Sequence, residues 1–151
     1  IESATSFTHL GEMYDFRIRQ PEYGRQMVRA MEIISAPGNL PVLFHCNAGK
    51  DRAGMLAALL LNVVGVADED IIKDYALSEA AMKKYLQRLD EDPLTSGFQS
   101  KKPAYQKEAA PKSMSYFMAN FKAAYGSAAE YLVMHGADTY LVSRLKDVLL
   151  V

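Results

Sequence analysis

The most distinctive stretch of the chain is HCNAGKDRAG at residues 45–54, in which Cys46 and Arg52 are separated by five residues. A thiol attacks well only as its thiolate, and backbone N–H groups, a helix N-terminus or a guanidinium lower its pKa. Arg52 carries a planar fork of donors that can hold two oxygens of one phosphate. Gly49 can adopt a positive φ, which turns successive N–H groups toward a bound oxyanion. The spacing therefore predicts an anion-binding loop around a nucleophilic Cys46.

Apolar runs on both sides indicate which elements hold this loop. Residues 42–45 predict a short strand. The apolar run that starts at Met55 predicts a buried helix, which begins after Arg52 and is closed by Gly65. This order puts the loop at a helix N-terminus, where unpaired N–H groups favour a bound phosphate. Gly54 is expected to let the new helix pack close to the strand.

The loop resembles the active-site loop of the cysteine-dependent phosphatases, which reads His-Cys, five residues, then Arg. Its Gly-Lys-Asp-Arg core, residues 49–52, resembles more specifically the tyrosine-phosphatase-like family of bacteria and fungi. Weaker matches follow at residues 65–72, 74–78, 131–132 and 136, so the resemblance runs from about Tyr23 onward.

The fold expected from the resemblance and from the excess of helices is α/β, a small, mostly parallel sheet flanked by helices. One predicted strand cannot satisfy its own edges. Residues 1–151 are therefore expected to be mainly the helical C-terminal part of one phosphatase domain, without the family's N-terminal strands.

The resemblance implies a two-step hydrolysis of phosphomonoesters that needs no metal and no cofactor. Cys46 would attack phosphorus to form a cysteinyl-phosphate, and Arg52 would hold the equatorial oxygens. Asp51 would protonate the leaving oxygen and then activate water. Lys50 would add a second cation. The implied phosphate-binding residues are Asn47, Ala48, Gly49, Lys50, Asp51 and Arg52.

Two features of the implied site stay open. A carboxylate between Lys50 and Arg52 is expected to have a lowered pKa, which suits a proton donor poorly, so Asp15 is the alternative acid. The residue after the arginine is often Thr or Ser in this family, and its hydroxyl stabilises the departing thiolate. Here it is Ala53, which puts the rate of phosphoenzyme breakdown in question. His45 is expected to orient the loop.

The composition limits which classes of binding partner and which cellular compartment are expected. The chain has 151 residues, a net charge of −1 and 50% hydrophobic residues, which indicates a globular domain without an electrostatic footprint for nucleic acid. Its single cysteine cannot form an internal disulfide, and a reactive thiol favours the cytoplasm. No apolar run is long enough to span a membrane. Secretion would require a signal before Ile1. The resemblance, and not the composition, implies the substrate: a phosphotyrosine, phosphoserine or phosphothreonine protein, or a phosphoinositide.

Hydrophobic periodicity and capping residues predict the remaining elements. Capping residues are expected at Asp68, Ser78, Ser127 with Glu130, and Asp138. The predicted elements before the lid region are a strand over 3–10, a helix that starts at Pro21 or Glu22 and ends at Ser35, and helices over 68–77 and from 78. A loop or lid is predicted over 91–112, followed by helices over 113–125, from 127 to Gly136 and from 138 to about 150.

Two other functions compete with hydrolysis. A phosphate-binding protein without turnover is conceivable because Ala53 replaces the usual hydroxyl and the acid is unsettled. A rhodanese-like sulfurtransferase also uses a loop thiolate at a helix N-terminus, although its loop is typically shorter.

Overall fold

A computed structural model describes residues 7–97 and 102–150, and these residues form a helical domain. A 3-10 turn, Ala104–Lys107, lies between the fifth and sixth α-helices. The α-helices are α1 Leu10–Ile18, α2 Pro21–Ser35, α3 Arg52–Val63, α4 Asp68–Ala76, α5 Ser78–Glu91, α6 Pro111–Tyr125, α7 Ala128–Met134 and α8 Leu141–Leu149.

The helix that follows the loop lies at the centre of the domain. α3 contacts α4, α7 and α8, while α1 packs mainly on α6, and α2 packs on α7 and α8. Met55 and Leu59 of α3 are fully buried, as the apolar sequence predicted. The loop before α3 is therefore anchored to a helix with buried residues that packs against three others.

The first helix was not expected from the sequence. Residues 3–10 were predicted as a strand; residues 3–6 lie outside the described residues, and Leu10 begins α1. Leu10, Tyr14 and Ile18 are buried at helical spacing. A Cβ on Gly11 would lie 2.6 Å from the carbonyl oxygen of Ser113, so α1 touches the backbone of α6. Tertiary contact with α6 thus overrides the weak local pattern.

The predicted strand over residues 42–45 has no pairing partner among residues 7–97 and 102–150. Leu43 is 89% exposed and Phe44 is 37% exposed. A strand is defined by hydrogen bonds to a neighbour, and the described helices supply no such ladder. The helical part of the expected fold is present, and the sheet stays a prediction.

Of the four residues predicted to begin or cap helices, Ser127 is confirmed as a cap, and the other three do not cap their helices. Ser127 caps α7, since its Oγ accepts from the N–H of Glu130 at 3.2 Å and donates to the Glu130 carboxylate at 2.8 Å. Asp68 and Ser78 are instead the first residues of α4 and α5, and neither caps its helix. The carboxylate of Asp68 binds Lys122 at 3.2 Å.

Asp138 lies in the turn before α8 and does not open the helix itself. Its Oδ1 accepts from the N–H of Tyr140 at 2.8 Å, and α8 begins at Leu141. Arg144 donates to the same carboxylate at 2.8 Å. The helix therefore begins three residues after the position at which the sequence placed its start.

Candidate active site

Cys46 lies in the loop that ends where α3 begins, and main-chain donors surround its sulfur. Burial raises the pKa of the thiol, but hydrogen bonds from the N–H groups of Ala53, Gly49, Arg52 and Asp51 outweigh burial and lower it. These are N–H groups of the loop and of the first turn of α3, which have no partner inside the helix. Four main-chain N–H groups therefore favour the thiolate of Cys46.

The geometry of the loop depends on Gly49. Its φ is +72°, a left-handed conformation that side chains other than glycine rarely adopt. The start of α3 fixes the other end, because Gly54 and Met55 donate to the carbonyls of Lys50 and Asp51 at 3.0 and 2.9 Å. The turn and the helix together hold the N–H groups toward the sulfur.

Cys46 and Arg52 both line one cleft of about 730 Å³. Arg52 is exposed at its wall, where a guanidinium can reach an anion. The loop, α1, α5 and the segment around the 3-10 turn supply the walls. The lining residues that bear directly on the chemistry are Cys46, Asn47, Ala48, Lys50, Asp51 and Arg52.

Asp51 is held by a buried polar cluster. The hydroxyl of Tyr14 donates to Asp51 Oδ1 at 2.7 Å, and the ammonium of Lys50 reaches the same oxygen at 3.0 Å. The Tyr14 and Tyr75 hydroxyls are 2.8 Å apart. Lys50 is 2% exposed, so its charge is paired with Asp51 rather than solvated. The loop carboxylate is thus fixed from two sides.

The alternative acid, Asp15, has a different environment. It accepts two hydrogen bonds, at 2.9 and 3.0 Å, from Arg19, the residue that follows α1. It is not among the residues that line the cleft, whereas Asp51 is. His45 is exposed, and its Nδ1 lies 3.0 Å from the carbonyl oxygen of Cys46, which agrees with a role in loop orientation.

Sequence reasoning missed the aromatic residues that support the loop. Tyr14 and Tyr75 come from α1 and α4, and Tyr75 lies within a segment that was noted only as a family match. Gly54 packs against Tyr75 and not against a strand, since an added Cβ would lie 3.1 Å from that ring. Tyr23 is near the site as well, with its hydroxyl 3.6 Å from the sulfur of Met55. No local spacing would have paired these residues with the loop.

Ala53 is buried and contributes its N–H group to Cys46. The methyl group offers no hydroxyl to a departing thiolate, as expected from the sequence.

Among the described residues, no three His, Cys, Asp or Glu side chains are grouped to hold a metal ion. No helix in the same residues has both the length and the apolar character needed to cross a membrane.

Residues 2–151 match the model of the tyrosine phosphatase family. The chain belongs to this family. A tyrosine-protein phosphatase of Nostoc commune is 43% identical over 77 residues, which are 49% of this chain and 25% of the relative. A putative tyrosine-protein phosphatase of Cupriavidus necator is 45% identical over 65 residues, 42% of this chain and 22% of the relative.

A third tyrosine phosphatase relative covers more of the chain. The triple specificity protein phosphatase PtpB of Mycobacterium tuberculosis is 29% identical over 145 residues, 83% of this chain and 49% of the relative. The chain thus spans from about a quarter to about half the length of these curated relatives.

Proposed function

We propose that this protein is a phosphomonoester hydrolase of the tyrosine phosphatase type, working through a cysteinyl-phosphate. The observation that carries the proposal is the sulfur of Cys46 with four backbone N–H groups directed at it and its pKa lowered. Such a thiolate is a nucleophile at neutral pH. The same N–H groups can receive the oxygens of an incoming phosphate, and Arg52 lines the same cleft.

In the first step, the Cys46 thiolate attacks phosphorus, so that a P–S bond forms as the P–O bond to the leaving group breaks. The leaving oxygen takes a proton from Asp51, which becomes a carboxylate. In the second step, Asp51 removes a proton from water as that water attacks phosphorus. The P–S bond breaks and the thiolate is restored. Arg52 and the amides of residues 47–52 neutralise the phosphoryl oxygens in both steps.

Phosphotyrosine in a protein is the substrate that we favour, with phosphoserine, phosphothreonine and phosphoinositides as further candidates. A cleft of about 730 Å³ accommodates an aryl ring beside the phosphate. Apolar side chains at its walls, such as Leu10, Met82 and Leu86, can pack against that ring. The mycobacterial relative is named for three specificities, which supports testing all of these classes.

We also propose that residues 42–45 are one strand of a small parallel sheet whose other strands lie outside the described residues, within a single phosphatase domain. The exposure of Leu43 and Phe44 supports this arrangement, because a neighbouring strand or helix layer would cover them. The cytoplasm is the proposed location, since a reactive thiol needs a reducing compartment.

The central experiment measures phosphate release by the purified protein from phosphotyrosine peptides, phosphoserine peptides and phosphoinositides. Cys46→Ser is expected to lower kcat by at least about 10³-fold, because a hydroxyl in the same cup is far less ionised than the thiol. Ser115→Ala, at an exposed position of α6, is the control and should keep full activity.

Each alternative outcome would indicate a different mechanism or function for this protein. Wild-type activity that persists in Cys46→Ser would remove the cysteine from the mechanism. Tight vanadate binding without phosphate release would indicate a phosphate-binding protein instead. Transfer of sulfur from thiosulfate to cyanide would indicate the sulfurtransferase.

A further inference from the structure

The two donors that hold Asp51 share one of its oxygens. Tyr14 and Lys50 both contact Oδ1, at 2.7 and 3.0 Å. Within the part of the chain that the structure describes, no group donates to Oδ2. A carboxyl oxygen that accepts two hydrogen bonds is a poor place for a proton, whereas the other oxygen can carry one. The arrangement therefore distinguishes the two oxygens of a single carboxyl group.

The direction of the hydrogen bonds follows from the number of hydrogens. The ammonium of Lys50 can only donate, so Oδ1 is an acceptor, and the single hydrogen of the Tyr14 hydroxyl is donated to the same atom. Tyr14 must therefore donate to Asp51, and the 2.8 Å contact between the hydroxyls must be donated by Tyr75. The result is a chain of hydrogen bonds in which Tyr75 donates to Tyr14 and Tyr14 donates to Asp51.

Resting on the proposed hydrolase function, we propose that Tyr14, backed by Tyr75, is a positioning residue that keeps the acidic proton of Asp51 on Oδ2. The proton is then presented to the leaving oxygen of the substrate instead of being held in the interior. Lys50 supports the same choice of oxygen through its buried ammonium. Neither tyrosine needs to touch the substrate for this role.

The surroundings of Tyr14 keep its hydroxyl protonated, so that it can always donate a hydrogen bond. It is fully buried, and its ring packs edge-on against those of Tyr75 and Phe117, with centroids 6.2 and 6.1 Å away. Burial raises the pKa of Tyr14 well above its ordinary value, and the neighbouring Tyr75 and Asp51 raise it further. The hydroxyl therefore keeps its proton throughout the pH range in which an enzyme works.

The test is the dependence of the rate on the leaving group. A good leaving group, such as p-nitrophenolate, departs with little help from an acid, whereas tyrosine, with a phenol pKa of about 10, needs the proton. Tyr14→Phe is expected to lower kcat/KM for phosphotyrosine about tenfold or more and to change kcat/KM for p-nitrophenyl phosphate by less than about threefold. The ratio kcat/KM is the quantity to compare, because it depends on departure of the leaving group and not on the later hydrolysis of the cysteinyl-phosphate, which both substrates share. Asp51→Asn should give the same selectivity with a larger loss.

The chain offers a matched control in Tyr131. It is also fully buried, and its hydroxyl donates to the carbonyl of Ile18 at 2.8 Å. Tyr131→Phe loses a comparable buried hydrogen bond away from Asp51, so both substrates should respond equally. Tyr75→Phe leaves the Tyr14–Asp51 bond in place and should give the Tyr14→Phe pattern more weakly. It also serves as the test if Tyr14→Phe does not fold.

The outcomes separate the inference from the function on which it rests. If the wild-type protein hydrolyses both substrates and Tyr14→Phe lowers kcat/KM equally for both, or for neither, the positioning role is overturned. The same conclusion follows if Asp51→Asn shows no leaving-group selectivity. A wild-type protein that releases phosphate from neither substrate overturns the proposed hydrolase and the positioning role with it.

Discussion

At the scale of single residues, the site depends on one backbone conformation. Burial alone would raise the pKa of Cys46, and only the inward N–H groups reverse that effect. Those groups are held by the start of α3 together with the turn at Gly49, where φ is +72°. A Cβ at Gly49 would meet no atom within 4 Å, so the need for glycine is conformational rather than steric.

Gly49→Ala should therefore raise the pKa of Cys46. An alanine at this φ is disfavoured by about 1–2 kcal/mol, and relaxation of the turn would withdraw N–H donors from the sulfur. The measurement is the rate of alkylation by iodoacetamide against pH, which follows the thiolate fraction. The wild-type midpoint should lie below the ordinary thiol pKa, and the midpoint of the variant should lie higher.

Gly136→Ala is the control for this experiment. Gly136 has φ of +97° and no atom within 4 Å of an added Cβ, so the strain is similar but lies after α7. Its alkylation midpoint should equal that of the wild type. Equal midpoints for Gly49→Ala and the wild type would contradict the conformational account of the lowered pKa.

At the scale of helices, a glycine lets the end of α7 lie close against α2. Gly24 of α2 lies directly against the imidazole of His135 at the end of α7. That ring in turn packs on Tyr131, with ring centroids 4.2 Å apart. The contact joins α2 to α7, which itself packs against α3, the helix that starts at the loop.

Gly24→Ala is expected to destabilise the protein, because its Cβ would overlap the His135 ring. The expected loss is about 1–3 kcal/mol from overpacking, although alanine favours the helix by up to about 1 kcal/mol. Urea denaturation measures the free energy of unfolding. In a His135→Ala background the overlap is absent, so the same change should be harmless or stabilising. Strictly additive effects of the two substitutions would contradict this contact.

At the scale of the whole molecule, the cleft is assembled from distant parts of the chain. Tyr85 and Leu86 of α5 form one wall together with Tyr105 of the 3-10 turn. These two segments are joined by Glu79, whose Oε2 accepts from the N–H of Ala109 at 2.6 Å. Ala109 is fully buried, so its N–H group has no access to water.

Glu79→Ala should loosen this wall without touching the loop. Loss of the carboxylate leaves a buried N–H group unpaired, at a cost of about 1–3 kcal/mol. We expect KM for a phosphotyrosine peptide to rise several-fold while kcat stays nearly constant. Hydrogen exchange at Ala109 should become faster. Glu79→Gln, which keeps an acceptor oxygen, should lie closer to the wild type; a fall in kcat at constant KM would refute this role of the wall.

Several features were determined by the sequence itself because their causes are local. The loop at residues 45–54 was recognisable from residue types and spacing, and its amide cup forms within a few residues of Cys46. The bounds of α2 and the cap of α7 followed from periodicity and from Ser127 with Glu130. Each of these patterns is completed within one or two helical turns.

Only the tertiary structure decided how Asp51 is held and what encloses the cleft. Tyr14 is 37 positions from Asp51 and 61 from Tyr75, and their hydrogen bonds leave no periodic trace in the chain. The same limit explains why residues 42–45 could be predicted as extended but not as paired, since a strand requires a neighbour. Contacts between distant segments depend on how helices pack, and packing is a property of the whole fold.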